Sequence, residues 1–264
     1  LLGIDRQQAE SLMKAIVPVA GIGSRLRPHT HTLPKALVPV AGKPIIAHII
    51  DRLRQGGITD FVFVTGYLRG KIEAFITEYY GDSGLSINFV LQEPREGSGH
   101  ALWVARDYFK EESELLIMLG DSILTLDLAR FIQLPHNALA VKKVDNPVAF
   151  GVAESNDEGS VTRLVEKPKI PKSNMALAGL YKIADSALLY EALEHNMQED
   201  IRSHNEIQLT DALSYMIEHG AHFETTTVDS WYDCGKKESL LDANAILLAR
   251  PDYQSAPTDQ YPHT

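Results

Sequence analysis

Along the first half of the chain, short apolar runs alternate with stretches whose apolar residues recur at helical spacing. Ala15 to Val19 (AIVPV) is an apolar run closed by a glycine loop, which predicts a buried strand. Ile45 to Arg54 (IIAHIIDRLR) has the spacing of a helix stopped by Gly56-Gly57. Phe61 to Tyr67 reads as a strand, Lys71 to Tyr80 as an amphipathic helix ended by Gly81, and Leu85 to Gln92 as a strand. Ala101 to Phe109 continues as helix, and Leu115 to Asp121 is an apolar strand ending in an acid. Strands separated by single helices predict an α/β fold with a doubly wound, mostly parallel sheet, whose ligands sit at the strand carboxyl ends. Gly21, Gln92 and Asp121 fall at such ends.

The second half changes rhythm. ALAVKKV, AFGVAES and VTRLVEKP are strands joined by tight turns at Asp145-Asn146-Pro147 and Asn156 to Gly159, which predicts a small antiparallel region. MALAGLYKI is a further strand, Asp185 to His195 a helix, and Ile207 to His219 a helix capped by Gly220. FETTTVD leads into a turn at WYDCG and a C-terminal helix. The pattern describes one domain over residues 13–248. Residues 1–12 read as a helical extension or a remnant foreign to the domain, and the polar, Pro-rich stretch 249–264 as a flexible tail.

Composition narrows the function classes. The chain has 264 residues, 44% hydrophobic and 23% charged, with a net charge of −10. That balance argues against a nucleic-acid surface, which needs a basic face, but leaves room for a nucleotide held by a few local cations. A single cysteine, Cys234, excludes an internal disulfide and the zinc clusters built on cysteines, and suits a reducing compartment. There is no apolar run of about 18 residues and no secretory h-region, so the expected setting is the cytoplasm, without a membrane partner.

The loop after the first strand carries Gly21, Gly23, Ser24 and Arg25, with Lys35 at the next Pro-bounded turn. Backbone N–H groups exposed by a glycine loop bind anions, and two cations beside them suit a polyanion. The loop is not a Walker P-loop, since no GKS or GKT follows, and GxG alone is also a common tight turn. The full string GxGSRLRPxTxxxPKxLxPVxGKP says more. It closely resembles the signature of the sugar-1-phosphate nucleotidyltransferases, and further pieces of that pattern follow in order. They are Leu119-Gly120-Asp121, Phe150-Gly151-Val152, Glu166-Lys167-Pro168, Ala178 to Tyr181 and Trp231 to Gly235. The resemblance runs from about Met13 to Leu248. It is strongest to the glucose-1-phosphate thymidylyltransferases, and VPVAG and Gly97 to Ala101 (GSGHA) also resemble uridylyltransferase motifs.

The resemblance implies a Rossmann-like nucleotidyltransferase fold that joins a nucleoside triphosphate to a hexose-1-phosphate with release of pyrophosphate. dTTP or UTP with glucose-1-phosphate are the expected pair, with Mg²⁺ as cofactor and a homo-oligomer as the assembly. It makes Arg25 and Lys35 the catalytic cations on the triphosphate and Lys167 the cation on the sugar phosphate. Ala20, Gly21, Gly23, Ser24, Gln92 and Gly97 would hold the nucleotide. Gly151, Glu166 and Gly179 would hold the sugar, and Asp121 and Asp233 the metal. The chemistry agrees. The attacking phosphate is already an anion near neutral pH, so no general base is needed, and catalysis reduces to aligning anions and neutralising charge. Two carboxylates with phosphate oxygens suit a hard cation such as Mg²⁺, and the Gln92 amide can pair with the N3–H and carbonyl edge of thymine or uracil.

Each residue type also has a plainer use: surface cations for Arg25 and Lys35, a loop ion pair for Glu166-Lys167, a helix cap for Asp121, and a structural turn acid for Asp233. Gly151 and Gly179 suit tight strand turns. His48 and His100 have no spaced partner and read as structural. Ser122 replaces the family's asparagine, and Lys236-Lys237 its small-residue and proline pair. No hexapeptide-repeat segment follows, so acyl transfer is not expected. The competing readings are a uridylyltransferase, a mannose-1-phosphate guanylyltransferase, and a catalytically silent nucleotide-binding module.

Overall fold

The computed structural model describes residues 13–250 and Tyr261. The expected extension 1–12 lies outside the described residues, as does most of the expected tail. β1 (Lys14–Pro18) opens into a loop of short 3-10 turns and a small hairpin, β2 (Pro39–Val40) and β3 (Lys43–Pro44). α1 (Ile45–Gln55), β4 (Asp60–Thr65), α2 (Arg69–Tyr80), β5 (Ser86–Leu91), α3 (Ser98–Val104) and β6 (Leu115–Met118) follow. The second half comprises β7 (Ser122–Thr125), α4 (Leu128–Ile132), β8 (Asn137–Lys143), β9 (Val152–Ser155), β10 (Val161–Val165) and β11 (Met175–Ile183). It ends with α5 (Ser186–Gln198), α6 (Leu209–Glu218), β12 (Phe223–Thr227), β13 (Ser230–Asp233) and α7 (Lys237–Leu248).

A nine-stranded mixed sheet carries the site. β1 lies between β4 and β6, parallel to both, and β5 continues in parallel beyond β4. β11 joins the far edge of β6 antiparallel and in turn pairs with β8 and β9, while β12 runs parallel to β8. The fold is thus the doubly wound α/β arrangement expected, with its antiparallel region in the second half. Ala15, Ile16 and Val17 are fully buried, as a central strand covered on both faces requires. One face packs on α1 and α2 through Ile45, Ile49, Phe61 and Phe63; the other packs on α3, α5 and α6 through Leu102, Leu193, Leu213 and Met216. No helix among the described residues is long and apolar enough to cross a membrane.

Several elements differ from expectation. The helix expected over Ala101–Phe109 begins earlier, at Ser98, and gives way to a 3-10 turn at Arg106–Tyr108. The strand expected to run to Asp121 stops at Met118, so Asp121 stands in a turn between β6 and β7. Of the expected flexible tail, Ala249, Arg250 and Tyr261 are described, and Tyr261 is buried. Its ring lies 5.7 Å from Phe75 and 5.1 Å from Tyr79, and its hydroxyl 3.1 Å from that of Tyr80.

Candidate functional site

The loop after β1 is shaped by what it must pass over. Gly23 has φ of +66°, and Thr30 Oγ1 donates to its carbonyl at 2.8 Å. A Cβ there would press on Lys35 Cβ at 3.0 Å and Thr30 Cγ2 at 3.1 Å, so glycine lets the loop close over Lys35. At Gly21 a Cβ would meet nothing within 4 Å, so packing does not demand that glycine. Ala20, Gly21, Gly23, Ser24 and Arg25 together wall a cleft of about 530 Å³ that also takes in Lys35, Gln92, Gly97 and Asp121. A volume in this range accommodates a nucleotide-sized ligand.

The two predicted metal acids are 112 positions apart (233 − 121) and come together through an unforeseen ribbon. β7 and β13 pair antiparallel with Asp233 opposite Ser122, and the Cys234 amide donates to the Asp121 carbonyl at 2.9 Å. The Gly235 N–H donates to Asp233 Oδ1 at 2.8 Å. Lys35 Nζ donates to Asp121 Oδ2 at 2.7 Å, so the cation expected for phosphate and the acid expected for metal are direct partners. Its recessed position works to raise the Asp121 carboxyl, but Lys35 and Arg25 outweigh that and hold it below the ordinary carboxylate range. Burial, then the nearby Asp121 charge, pushes the Asp233 carboxyl up against the pull of Lys35, the Gly235 N–H and Arg25. Two carboxylates brought together beside the cleft suit an oxygen-seeking divalent cation, so the residues fit Mg²⁺.

A second chamber of about 190 Å³ adjoins the first and shares Arg25 and Asp121 with it. Its walls include Gly151, Glu166, Lys167, Gly179, Thr210 and Asp233. Glu166 is held on both oxygens, by Lys167 Nζ at 2.8 Å and by Thr210 Oγ1 at 2.8 Å. A Cβ on Gly151 would lie 2.9 Å from Leu177 Cδ1 and 3.0 Å from Glu166 Oε2, so this glycine makes room for the carboxylate itself. Gly179 has φ of +89° within β11, where the register with β8 shifts, and a Cβ would meet Ser122 Oγ at 2.9 Å. It is a bulge glycine, as strand interiors use them.

Gln92 follows β5 and is buried at 4% exposure. Its Nε2 donates to the Gly97 carbonyl at 2.9 Å and faces His100 Nδ1 at 3.2 Å. Gly97 has φ of +115°, and a Cβ there would collide with the Ile207 carbonyl oxygen ahead of α6. His48 does act structurally, since its Nε2 donates to the Val40 carbonyl at 2.9 Å.

A family model described as nucleotidyl transferase matches residues 14–250. The chain belongs to the nucleotidyl transferase family. A low-salt glycan biosynthesis nucleotidyltransferase, Agl11, of Haloferax volcanii is 35% identical over 245 residues, covering 89% of this chain and 66% of the relative. A bifunctional protein GlmU of Methanococcus vannielii is 35% identical over 242 residues, covering 89% of this chain and 55% of the relative. The chain thus spans between about half and two thirds of the length of these curated relatives. Among solved structures, one from Bacillus anthracis, described as a candidate glucose-1-phosphate thymidylyltransferase in complex with a sucrose, superposes with a TM-score of 0.78 at 28% identity. That match covers 90% of this chain and 96% of the other.

Sequence reasoning missed part of this nucleotidyltransferase's site. Arg95 and Ser98 line the first chamber; the position of Arg95 between Gln92 and the GSGHA segment, and of Ser98 within that segment, was an available signal. Tyr181, Thr210 and Trp231 line the second. Burial, with Glu166 and Asp121 nearby, raises the Tyr181 hydroxyl, so it stays a neutral donor. The Trp231 indole N–H donates to Ser122 Oγ at 3.3 Å, which gives that departure from the family a structural use.

Proposed function

We propose that this nucleotidyltransferase joins a nucleoside triphosphate, dTTP or UTP, to glucose-1-phosphate. The observation that carries the reading is the pair of adjoining chambers. The residues expected to hold a nucleotide wall one, those expected to hold a sugar wall the other, and Arg25 and Asp121 belong to both. A reaction between two anionic substrates needs such a junction.

In this scheme an oxygen of the sugar phosphate attacks the α-phosphorus, the bond from the α-phosphorus to the β-bridging oxygen breaks, and pyrophosphate departs. Arg25 and Lys35 offset charge on the triphosphate, and Lys167 aligns the attacking phosphate. Lys35 reaches a phosphate by sharing itself with Asp121 or turning from it, since the two already touch. Glu166, fixed by Thr210 and Lys167, accepts hydrogen bonds from sugar hydroxyls. Asp121 and Asp233 would hold a Mg²⁺ ion, which supplies charge neutralisation at the phosphates.

Base choice falls to the Gln92 amide. With its nitrogen engaged by Gly97 and His100, its oxygen remains as an acceptor for a ring N–H. Thymine and uracil offer N3–H there, whereas cytosine and adenine present an acceptor at the corresponding ring nitrogen. The thymidylyltransferase described for the Bacillus anthracis structure supports dTTP. The GSGHA segment resembles uridylyltransferases and supports UTP. The N1–H of guanine also meets a lone acceptor, which keeps the guanylyltransferase reading in the test.

Pyrophosphate release by the purified chain, across dTTP, UTP, GTP, CTP and ATP with several sugar-1-phosphates, is the direct measurement. Release with dTTP or UTP and glucose-1-phosphate is expected. Release with no combination overturns enzyme activity and favours a silent binding module. The expected homo-oligomer belongs to the same proposal, and light scattering on the purified chain measures it.

A further inference from the structure

At the other end of the sheet from the two chambers, three side chains converge. β8 begins beside the C-terminal end of β11, whose Lys182 and Ile183 face Leu116 and Leu115 at the start of β6, whereas Asp121 follows the end of β6. Here His136, just ahead of β8, lies beside His222 and Glu224 at the start of β12. Their ligating atoms all fall within 4.8 Å of one another. His222 Nε2 is 3.1 Å from Glu224 Oε1, and His136 Nε2 is 3.2 Å from Glu224 Oε2. The two rings meet edge to face, with centroids 5.3 Å apart.

We propose that His136, His222 and Glu224 form a binding site for a divalent transition cation of the zinc class. The first support is distance. Bonds of about 2.0–2.1 Å in a tetrahedron put neighbouring donor atoms roughly 3.3 Å apart. Each imidazole nitrogen lies near that edge length from one oxygen of the same carboxylate, His222 at 3.1 Å from Oε1 and His136 at 3.2 Å from Oε2, so a small turn of Glu224 puts one oxygen near both.

The second support is burial. His136 Nε2 is buried, and the Glu224 carboxylate oxygen at 3.2 Å is off-line for a well-formed hydrogen bond to it. A buried ring nitrogen held this close to a carboxylate can be drawn with it onto one cation. The third support is rigidity. Phe223 pairs with Asn137 in the β8–β12 register, and the buried Asn137 side chain donates to the His222 carbonyl at 3.0 Å and accepts from the Ala184 N–H at 2.8 Å. Glu224 is also bridged through its backbone to Ser160. The ligands thus stand on a frame that does not need the metal to form.

The donor set decides the cation. Two imidazoles and one carboxylate suit zinc or its neighbours, whereas magnesium takes oxygen and keeps its waters. This site therefore does not compete with Asp121 and Asp233 for the expected cofactor. It is also separate from the cysteine-built clusters that the single Cys234 rules out. The ion would clamp edge strand β12 to β8.

Titration calorimetry of the chelator-stripped protein with Zn²⁺ alone tests this. One equivalent is expected to bind with a dissociation constant below about 10 μM. His222→Ala and Glu224→Gln are each expected to weaken it at least roughly tenfold. Asp121→Asn, which removes an acid of the first chamber, should leave zinc affinity unchanged. His222 and Glu224 are both exposed, so these variants keep the fold, and a melting temperature matching the wild type without zinc verifies it. Weaker binding by the wild type, or equal binding by the wild type and both variants, overturns the site.

Discussion

Gln92 Nε2 lies 3.2 Å from His100 Nδ1, a contact that works with the Gly97 carbonyl to orient the buried amide. The Gly97 carbonyl demands a donor from Gln92, so His100 Nδ1 must accept the second amide hydrogen. Burial favours that neutral ring and lowers the His100 pKa, with Arg202 adding to it and Glu96 opposing. His100→Phe removes one of the two contacts that orient the amide and leaves the Gly97 carbonyl alone to hold it. The ratio of kcat/KM for UTP or dTTP over CTP is expected to fall by roughly tenfold, the equivalent of one hydrogen bond of about 1.4 kcal/mol. In the wild type, the KM for the triphosphate should hold steady through neutral pH. It should rise only in acid, where imidazolium turns an N–H against the amide.

Lys35→Ala and Asp121→Asn should each lower kcat by about 10²- to 10³-fold. Their pair is partly open to solvent, with side-chain exposures of 16% and 40%, so its removal should change stability by less than about 1 kcal/mol. Steady-state rates beside thermal melting separate the two effects. A large fall in melting temperature would mark the pair as structural.

Thr210→Val keeps the shape of the side chain but leaves one Glu166 oxygen without its donor. The expected result is a roughly tenfold rise in KM for the sugar phosphate, with kcat and the triphosphate KM little changed. Equal losses for both substrates would mean that Glu166 does not serve the sugar side.

His48 gives the fold an acid limit. Burial lowers its pKa from 6.5 to about 4, against the hydrogen bond with Val40. Between those values the unfolded chain binds a proton that the native chain refuses, so stability rises with pH across that window. The contribution is fully present above pH 6.5 and is lost as pH falls to about 4. It amounts to on the order of 3 kcal/mol. Urea unfolding midpoints measured from pH 4 to 7 should show this slope, and His48→Gln should flatten it.

The parallel half of the sheet was legible because β1, β4, β5 and β6 are local apolar runs bounded by glycines, and the loops behind them hold the site residues. What long-range pairing decides was hidden. β7 carries only Ile123 and Leu124 as strong apolar residues and exists because it meets β13, more than a hundred positions later. A separation of 86 positions concealed the contact of Lys35 with Asp121, which turned two expected roles into one ion pair. His100 read as a histidine without a spaced partner because its partner, Gln92, lies on the preceding strand's exit and not on its own helix. Gly151 and Gly179 were expected to serve the sugar, and their neighbours show that the protein's own packing already requires them.

The β7–β13 ribbon has a consequence for how the protein is made. As the ribosome releases the chain, the phosphate loop, Gln92 and Asp121 can all find their places while the second acid is still unmade. Charge at the junction stays unbalanced until Asp233 emerges and closes a loop of more than a hundred residues. Under the proposed function, competence for chemistry therefore arrives in a single late step, and a nascent or shortened chain with the first chamber formed would lack the second acid.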